Sequence, residues 1–262
     1  MFAIIVGIFG DKQIFINKPL FFVIIKVRMK KIINMKYSPS GKKIYIYNPD
    51  FIASQSKKKF ERILKQHKLF QKIKKSILKD IRSNEPRKKE IAIILYLIIY
   101  CGFRIGNKRY EKQSYGISTI KFKHIPFVSD DCIEFDFIGK KSIRNISKCS
   151  NKDICKYLKN KKKRHSDNDY VFPKISSQIV NDYLKEFDEN LTSKDLRTWV
   201  ANILFVKYVV LSMKKKEKHP IKSAIIRVSQ QLHNTPAVCK KNYIDEKVVK
   251  HIEEKIKNDD IK

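Results

Sequence analysis

Residues 133–147 read Ile-Glu-Phe-Asp-Phe-Ile-Gly-Lys-Lys-Ser-Ile-Arg-Asn-Ile-Ser. Ile133, Phe135 and Phe137 alternate with Glu134 and Asp136, the period of a strand with one buried and one wet face. Gly139 interrupts the alternation, and Ser142 to Ser147 forms a second strand candidate beyond it. With the short β-branched run Ile117 to Phe122, the stretch predicts a three-stranded sheet.

On either side of this sheet the spacing is helical. From Ser54 the apolar residues fall at Phe60, Ile63, Leu64, Leu69, Ile73, Ile77 and Ile81, separated by lysines. Glu85-Pro86 opens a further helix, since proline suits a first helical position, and this helix runs through Ile91 to Tyr100 and stops near Gly102. Its unbroken apolar character predicts a buried core element. Lys156 to Asp169 reads as a solvated loop following a helix, and helices dominate from there to the end. Near the amino terminus, residues 20–34 and Lys42 to Tyr47 alternate on either side of Pro39-Ser40-Gly41, which predicts a small β unit with a turn. The change of period sets a boundary: a β-rich segment, 1–53, followed by a mainly helical domain, 54–262. The fold class is α+β. An extended gene start, with the true start at Met29 or Met35, is one reading of the opening residues.

Charge narrows the function. The 262 residues carry 58 Lys and Arg against 26 Asp and Glu, a formal +32 distributed from end to end, and 42% of them are hydrophobic. A folded chain of this charge implies a polyanion partner. Five cysteines, Cys101, Cys132, Cys149, Cys155 and Cys239, form no Cys-x-x-Cys pair, so neither a disulfide framework nor a zinc site is expected. The apolar runs Met1 to Phe9 and Ile91 to Cys101 fall short of the roughly 18 residues of a membrane span. The sequence holds no Walker loop and no Asp/Glu cluster of the two-metal kind.

A tyrosine attacking a phosphodiester needs its nonbridging oxygens neutralised, a proton for the leaving oxygen, and an in-line geometry. Four consecutive blocks supply residues of these types. Cys101-Gly102-Phe103-Arg104-Ile105-Gly106-Asn107, followed by Tyr110, Gly116, Thr119 and His124, resembles the Arg-x-Gly-Asn block of type IB DNA topoisomerases. Phe135-Asp136-Phe137-Ile138-Gly139-Lys140 looks like that family's strand-turn, and Lys194-Asp195-Leu196-Arg197-Thr198-Trp199 is similar to its second arginine block. Leu232-His233-Asn234-Thr235-Pro236, leading to Tyr243, resembles the segment that carries the nucleophile. Thr235-Pro236 is a capping residue followed by proline, so Tyr243 is expected about two turns into a helix.

The resemblance covers roughly residues 36–246 and is nearest in flavour to the compact poxvirus, giant-virus and bacterial members. It implies a helical catalytic domain with a three-stranded antiparallel sheet, and these roles: Tyr243 as nucleophile, Lys140 as general acid, Arg104 and Arg197 as phosphate clamps, and Asn234 as a further phosphate donor. Bacterial relatives read Leu-Gly-Asn-Thr-Pro, so His233 replaces a glycine and reads as a flanking or DNA-facing residue. Lys42, Lys43, Tyr45 and Tyr47 resemble part of the family's amino-terminal clamp, here pared down, and are the expected DNA contacts. The partner implied is duplex DNA, bound by a monomer that is soluble, intracellular and DNA-associated, in host cytoplasm or virion if viral, with no membrane involved; because a phosphotyrosine stores the bond energy, the resemblance also implies no ATP, metal or other cofactor. One alternative is a tyrosine recombinase, which usually has histidine where this chain has Lys194; another is a non-enzymatic DNA-binding relic of the scaffold.

Overall fold

The computed structural model describes residues 12–18, 21–27, 31–39, 41, 43–65, 67–108 and 114–259, within two compact units, Met1–Leu64 and Lys65–Lys262. Lys42 and Tyr110 lie outside the described residues.

The first unit holds two antiparallel hairpins and a helix. Strands β1 (Lys12–Lys18) and β2 (Phe21–Val27) pair with each other, as do β3 (Ile32–Tyr37) and β4 (Lys43–Tyr47). The turn at 39–41 does join a hairpin, but the single β unit read from the sequence is two separate sheets: residues 21–27 pair with β1, and only 32–37 pair with β4. Helix α1 (Pro49–Lys65) follows at once, its entry set by the Asn48 side chain, whose Oδ1 accepts from the Asp50 N–H at 2.9 Å. Phe51 of α1 stacks on Tyr47 at 6.2 Å between centroids, and Lys31 Nζ sits 5.8 Å from the Phe51 ring centre. The change of period at Ser54 therefore falls inside a helix that packs on its own hairpin, and this unit runs on to Leu64.

The second unit is mainly helical. Helices α2 (His67–Asp80) and α3 (Pro86–Tyr100) precede the sheet, and α4 (Lys152–Lys162), α5 (Ser177–Lys185), α6 (Ser193–Lys214), α7 (Pro220–Gln231), α8 (Pro236–Tyr243) and α9 (Glu246–Asp259) follow it. As its composition predicts, α3 is central: Ile93, Ile94, Leu95, Leu97 and Ile98 are fully buried, and the helix packs against α2, α5 and α6. Each such side chain contributes about 1.5–3 kcal/mol relative to exposure. Helices α6, α7, α8 and α9 share a second cluster containing Phe205, Val209, Val228, Leu232, Cys239 and Val249.

The antiparallel sheet runs β5–β6–β7, with β5 (Phe127–Val128), β6 (Ile133–Ile138) and β7 (Arg144–Cys149). The register pairs Ile133 with Cys149 and Ile138 with Arg144. Ile133, Phe135 and Phe137 face the core as their alternation requires. The third strand is not Ile117 to Phe122. That segment forms two 3-10 turns, Ile117–Thr119 and Phe122–His124, because its backbone is committed elsewhere: Ile117 N–H and Ser118 N–H donate to Arg104 O and Ile105 O at 2.8 Å. Its β-branched residues are buried as a connector, which alternation cannot distinguish from a strand. The Lys156 to Asp169 run also differs from expectation. Its first half belongs to α4, capped by Asn151 Oδ1 accepting from Ile154 N–H at 3.1 Å and anchored by buried Ile154, Cys155 and Leu158.

Helix α3 ends where Gly102 adopts φ +69, a left-handed conformation that favours glycine. A Cβ there would lie 2.0 Å from Gln231 O, so backbone meets backbone where the chain carrying Arg104 passes the end of α7. Gly102→Ala is expected to destabilise the protein by about 2–4 kcal/mol, through strain and the forced separation of these segments. A fall in the urea midpoint at unchanged m checks this, and an unchanged midpoint would show that the contact yields freely.

Candidate active site

Arg104, Lys140, Arg197, Asn234 and Tyr243 come from four separate parts of the second unit and line one cavity of about 410 Å³. Each is placed by a different local device. Arg104 follows the Gly102 turn, its backbone held by the 116–119 segment, where Gly116 crosses Gly106 so closely that a Cβ on Gly116 would sit 2.4 Å from the Gly106 Cα. The Arg104 guanidinium donates to His233 O at 3.3 Å and to Asn234 Oδ1. The side-chain carbonyl of Asn234 thus faces Arg104, and its Nδ2 donor is buried without a protein partner.

Lys140 stands at the β6–β7 turn, exposed, followed by Lys141 and Ser142 at φ 61 and 57. The turn is braced by Gly139 N–H to Ile143 O at 2.8 Å, by Asn145 Nδ2 to Ile143 O at 2.7 Å, and by the bidentate pair of Arg144 with Asp136. A pair this exposed is screened by solvent and adds little stability, but its two parallel hydrogen bonds tie β6 to β7 beside the turn on which Lys140 rides.

Arg197 lies one turn into α6, whose start is closed by Thr192 N–H and Oγ1 donating to Asp195 Oδ2 at 3.0 and 2.6 Å. Its side chain is 2% exposed. Nη2 donates to Leu232 O at 2.8 Å, whereas Nε and Nη1 have no protein acceptor. Burial pushes the guanidinium down to about 10; Tyr243 opposes that shift and Arg104 adds to it. It remains charged at neutral pH. Its Cζ lies 5.1 Å from the centre of the Tyr243 ring.

Tyr243 is the last residue of α8, which Thr235 caps by accepting from Val238 N–H at 3.3 Å. The sequence placed it about two turns in, and the helix spans eight residues. Its position is set by Asn202, a buried residue of α6 that sequence reading did not single out. Asn202 Nδ2 donates to Tyr243 O at 2.8 Å, and its Oδ1 accepts from Asp245 N–H at 2.9 Å. One side chain therefore ties the tyrosine's backbone to the helix bearing Arg197. Only its place one and a half turns after Arg197 could have hinted at this. Lys141 and Lys194 line the same cavity and were likewise not proposed as site residues.

His233 is neither in the cavity nor exposed to a ligand. Its ring is 9% exposed, stacks on Phe103 at 5.3 Å, and donates from Nε2 to Cys101 O at 3.0 Å. Its φ of 49 lies in the left-handed region, which favours glycine over a residue with a Cβ. Burial, with Arg197 and Arg104 adding to it, pushes the imidazole down to about 4. The folded state therefore binds fewer protons than the unfolded chain between about 4 and the ordinary 6.5. Stability should be fully present above pH 6.5 and decline as pH falls to 4, by roughly 3 kcal/mol for this group. In His233→Phe that part of the pH slope of the melting temperature should vanish; an unchanged slope would assign the titration elsewhere.

Of the expected DNA contacts in the first unit, Lys43, Tyr45 and Tyr47 alternate along β4 and all are exposed. The cysteines, all five of them, are free thiols.

A family model for the catalytic core of eukaryotic DNA topoisomerase I matches residues 48–261. The chain belongs to this family. Among its relatives, DNA topoisomerase 1 beta of Arabidopsis thaliana is 28% identical over 166 residues, covering 62% of this chain and 18% of that protein. DNA topoisomerase 1 of Drosophila melanogaster and of Homo sapiens are each 29% identical, covering 55% of this chain and 16% and 20% of those proteins. The chain thus spans about a fifth of the length of these topoisomerases. Among solved structures, the site-specific recombinase XerH in post-cleavage complex with a palindromic difH substrate aligns at TM-score 0.43 and 15% identity, covering 71% of this chain and 51% of that one.

Proposed function

We propose that this chain is a type IB DNA topoisomerase that nicks one strand of duplex DNA, lets the duplex rotate, and reseals it. The supporting observation is the cavity in which Tyr243 stands beside buried donors of Arg197 and Asn234 that no protein acceptor satisfies. Buried donors without partners are rare and costly. The nonbridging oxygens of a phosphodiester supply the acceptors these lack, and the charge they match grows in the transition state.

The Tyr243 Oη attacks phosphorus, its proton passing to water, as the bond from phosphorus to O5′ breaks. Lys140 gives its proton to the leaving O5′, producing a free 5′ hydroxyl and a 3′-phosphotyrosine. Arg104, Arg197 and Asn234 hold the pentacoordinate charge. Resealing runs the same steps backwards, and the phosphotyrosine conserves the bond energy, so neither ATP nor metal enters the scheme. Lys43, Tyr45 and Tyr47, with Lys42, contact the duplex from the segment 1–53, ahead of a catalytic domain over 54–262. The protein acts as a soluble monomer wherever the DNA lies. The Asn234-Thr235-Pro236 spelling, like that of bacterial relatives, and the lysine-rich composition support a place among the compact viral and bacterial members.

The test is relaxation of a supercoiled plasmid in EDTA without ATP, scanned over salt. Relaxation of any plasmid, weakening as salt rises, is expected. Binding without relaxation would reduce the chain to a DNA-binding relic, and action confined to paired sites would make it a recombinase.

A further inference from the structure

The outer side of α6 carries an apolar surface that neither core nor site uses. From residue 203 onward the inward positions of this helix are Phe205, Val209 and Ser212, all buried. Ile203, Val206, Val210 and Met213 are between 40% and 47% exposed. At 100° per residue these four form one contiguous stripe, spaced three, four and three, which is an a/d heptad seam with β-branched Ile203 and Val210 at a. Isolated exposed apolar residues are ordinary, but a continuous seam along three turns is not. Exposed Lys207 and Lys214, one heptad apart, flank the seam on one edge, and Lys215, Lys216 and Lys218 extend the positive charge past the end of the helix. No acidic residue occurs from 203 to 216.

We propose that this face docks an acidic amphipathic helix of a partner protein, its apolar seam against Ile203, Val206, Val210 and Met213 and its carboxylates along Lys207 and Lys214. Heptad spacing selects a helix as the occupant, and the lysine edge selects its charge. A second copy docking through the same face would set lysine edge against lysine edge, because that stretch of α6 carries no carboxylate, and the +32 of each chain would oppose the pairing. A lipid surface calls for a broad apolar face with aromatic residues, and this seam is narrow and has none.

The probe is a fluorescent four-heptad peptide with Leu at a and d and Glu at e and g, titrated with the full chain; a Lys version of the same peptide is the control. The Glu peptide should bind, more weakly as salt rises, and the Lys peptide should not. The surface variant Val206→Ser with Val210→Ser should weaken binding about tenfold or more while relaxing plasmid at the wild-type rate. Equal binding by the variant would place the peptide on the basic surface at large and overturn the proposal. So would a wild-type dimer in sedimentation that the variant loses, or cosedimentation with phosphatidylserine vesicles in place of peptide binding. Plasmid relaxation is read separately, so failure here and failure of the topoisomerase reading are distinguishable.

Discussion

Tyr243→Phe is expected to eliminate the covalent adduct on a labelled duplex and to lower relaxation by roughly 10⁴-fold or more, as loss of a nucleophile does. Binding of the same duplex should be unchanged. The substitution removes one oxygen and keeps the ring, which sits 5.1 Å from the Arg197 guanidinium and is 7% exposed. The tether from Asn202 reaches the backbone carbonyl of residue 243, so the helix end is held whatever side chain stands there. Melting temperature should therefore barely move, and the loss is readable as chemistry. A surviving adduct would assign the nucleophile to another residue. Loss of folding would show instead that the hydroxyl's contacts are structural.

The residues brought together in this cavity were legible because each stands in a block whose local structure follows from its own letters. Pro86 and Gly102 delimit α3, the Phe135/Phe137 alternation delimits β6, and Thr235-Pro236 starts α8. What was not legible depends on partners distant in sequence. The Ile117 to Phe122 run has the composition of a strand, but the Arg104 and Ile105 carbonyls take its N–H groups before a ladder can. His233 looked like a residue that could face DNA. Its left-handed backbone turns its ring onto Phe103 and Cys101 O, a direction that no one-dimensional pattern encodes. Asn202 is an ordinary polar letter in an apolar helix until Tyr243 O and Asp245 N–H, some forty residues on, arrive beside it.

Arg197→Met is expected to separate activity from stability. In the free protein the guanidinium is 2% exposed and has no carboxylate in contact among its described partners; one N–H bond goes to Leu232 O and two donors are unmet. Burying a charge this way costs several kcal/mol, and the single bond and the Tyr243 ring return about 1–2 kcal/mol each. Methionine fills a similar shape without the charge or the unmet donors. The variant should thus be at least as stable as wild type, melting a few degrees higher at about 1 kcal/mol per 2–4 °C, while strand cleavage falls about 10²–10³-fold for loss of donors to the transition state. Binding of duplex DNA should raise the melting temperature of wild type more than that of the variant, because phosphate supplies to Arg197 the acceptors the fold withholds. Thermal melts with and without duplex, beside cleavage rates, decide it. A variant destabilised by more than about 2 kcal/mol would make Arg197 a structural residue. A variant as stable as wild type but inactive would mean that the unmet donors are retained for the substrate, at the fold's expense.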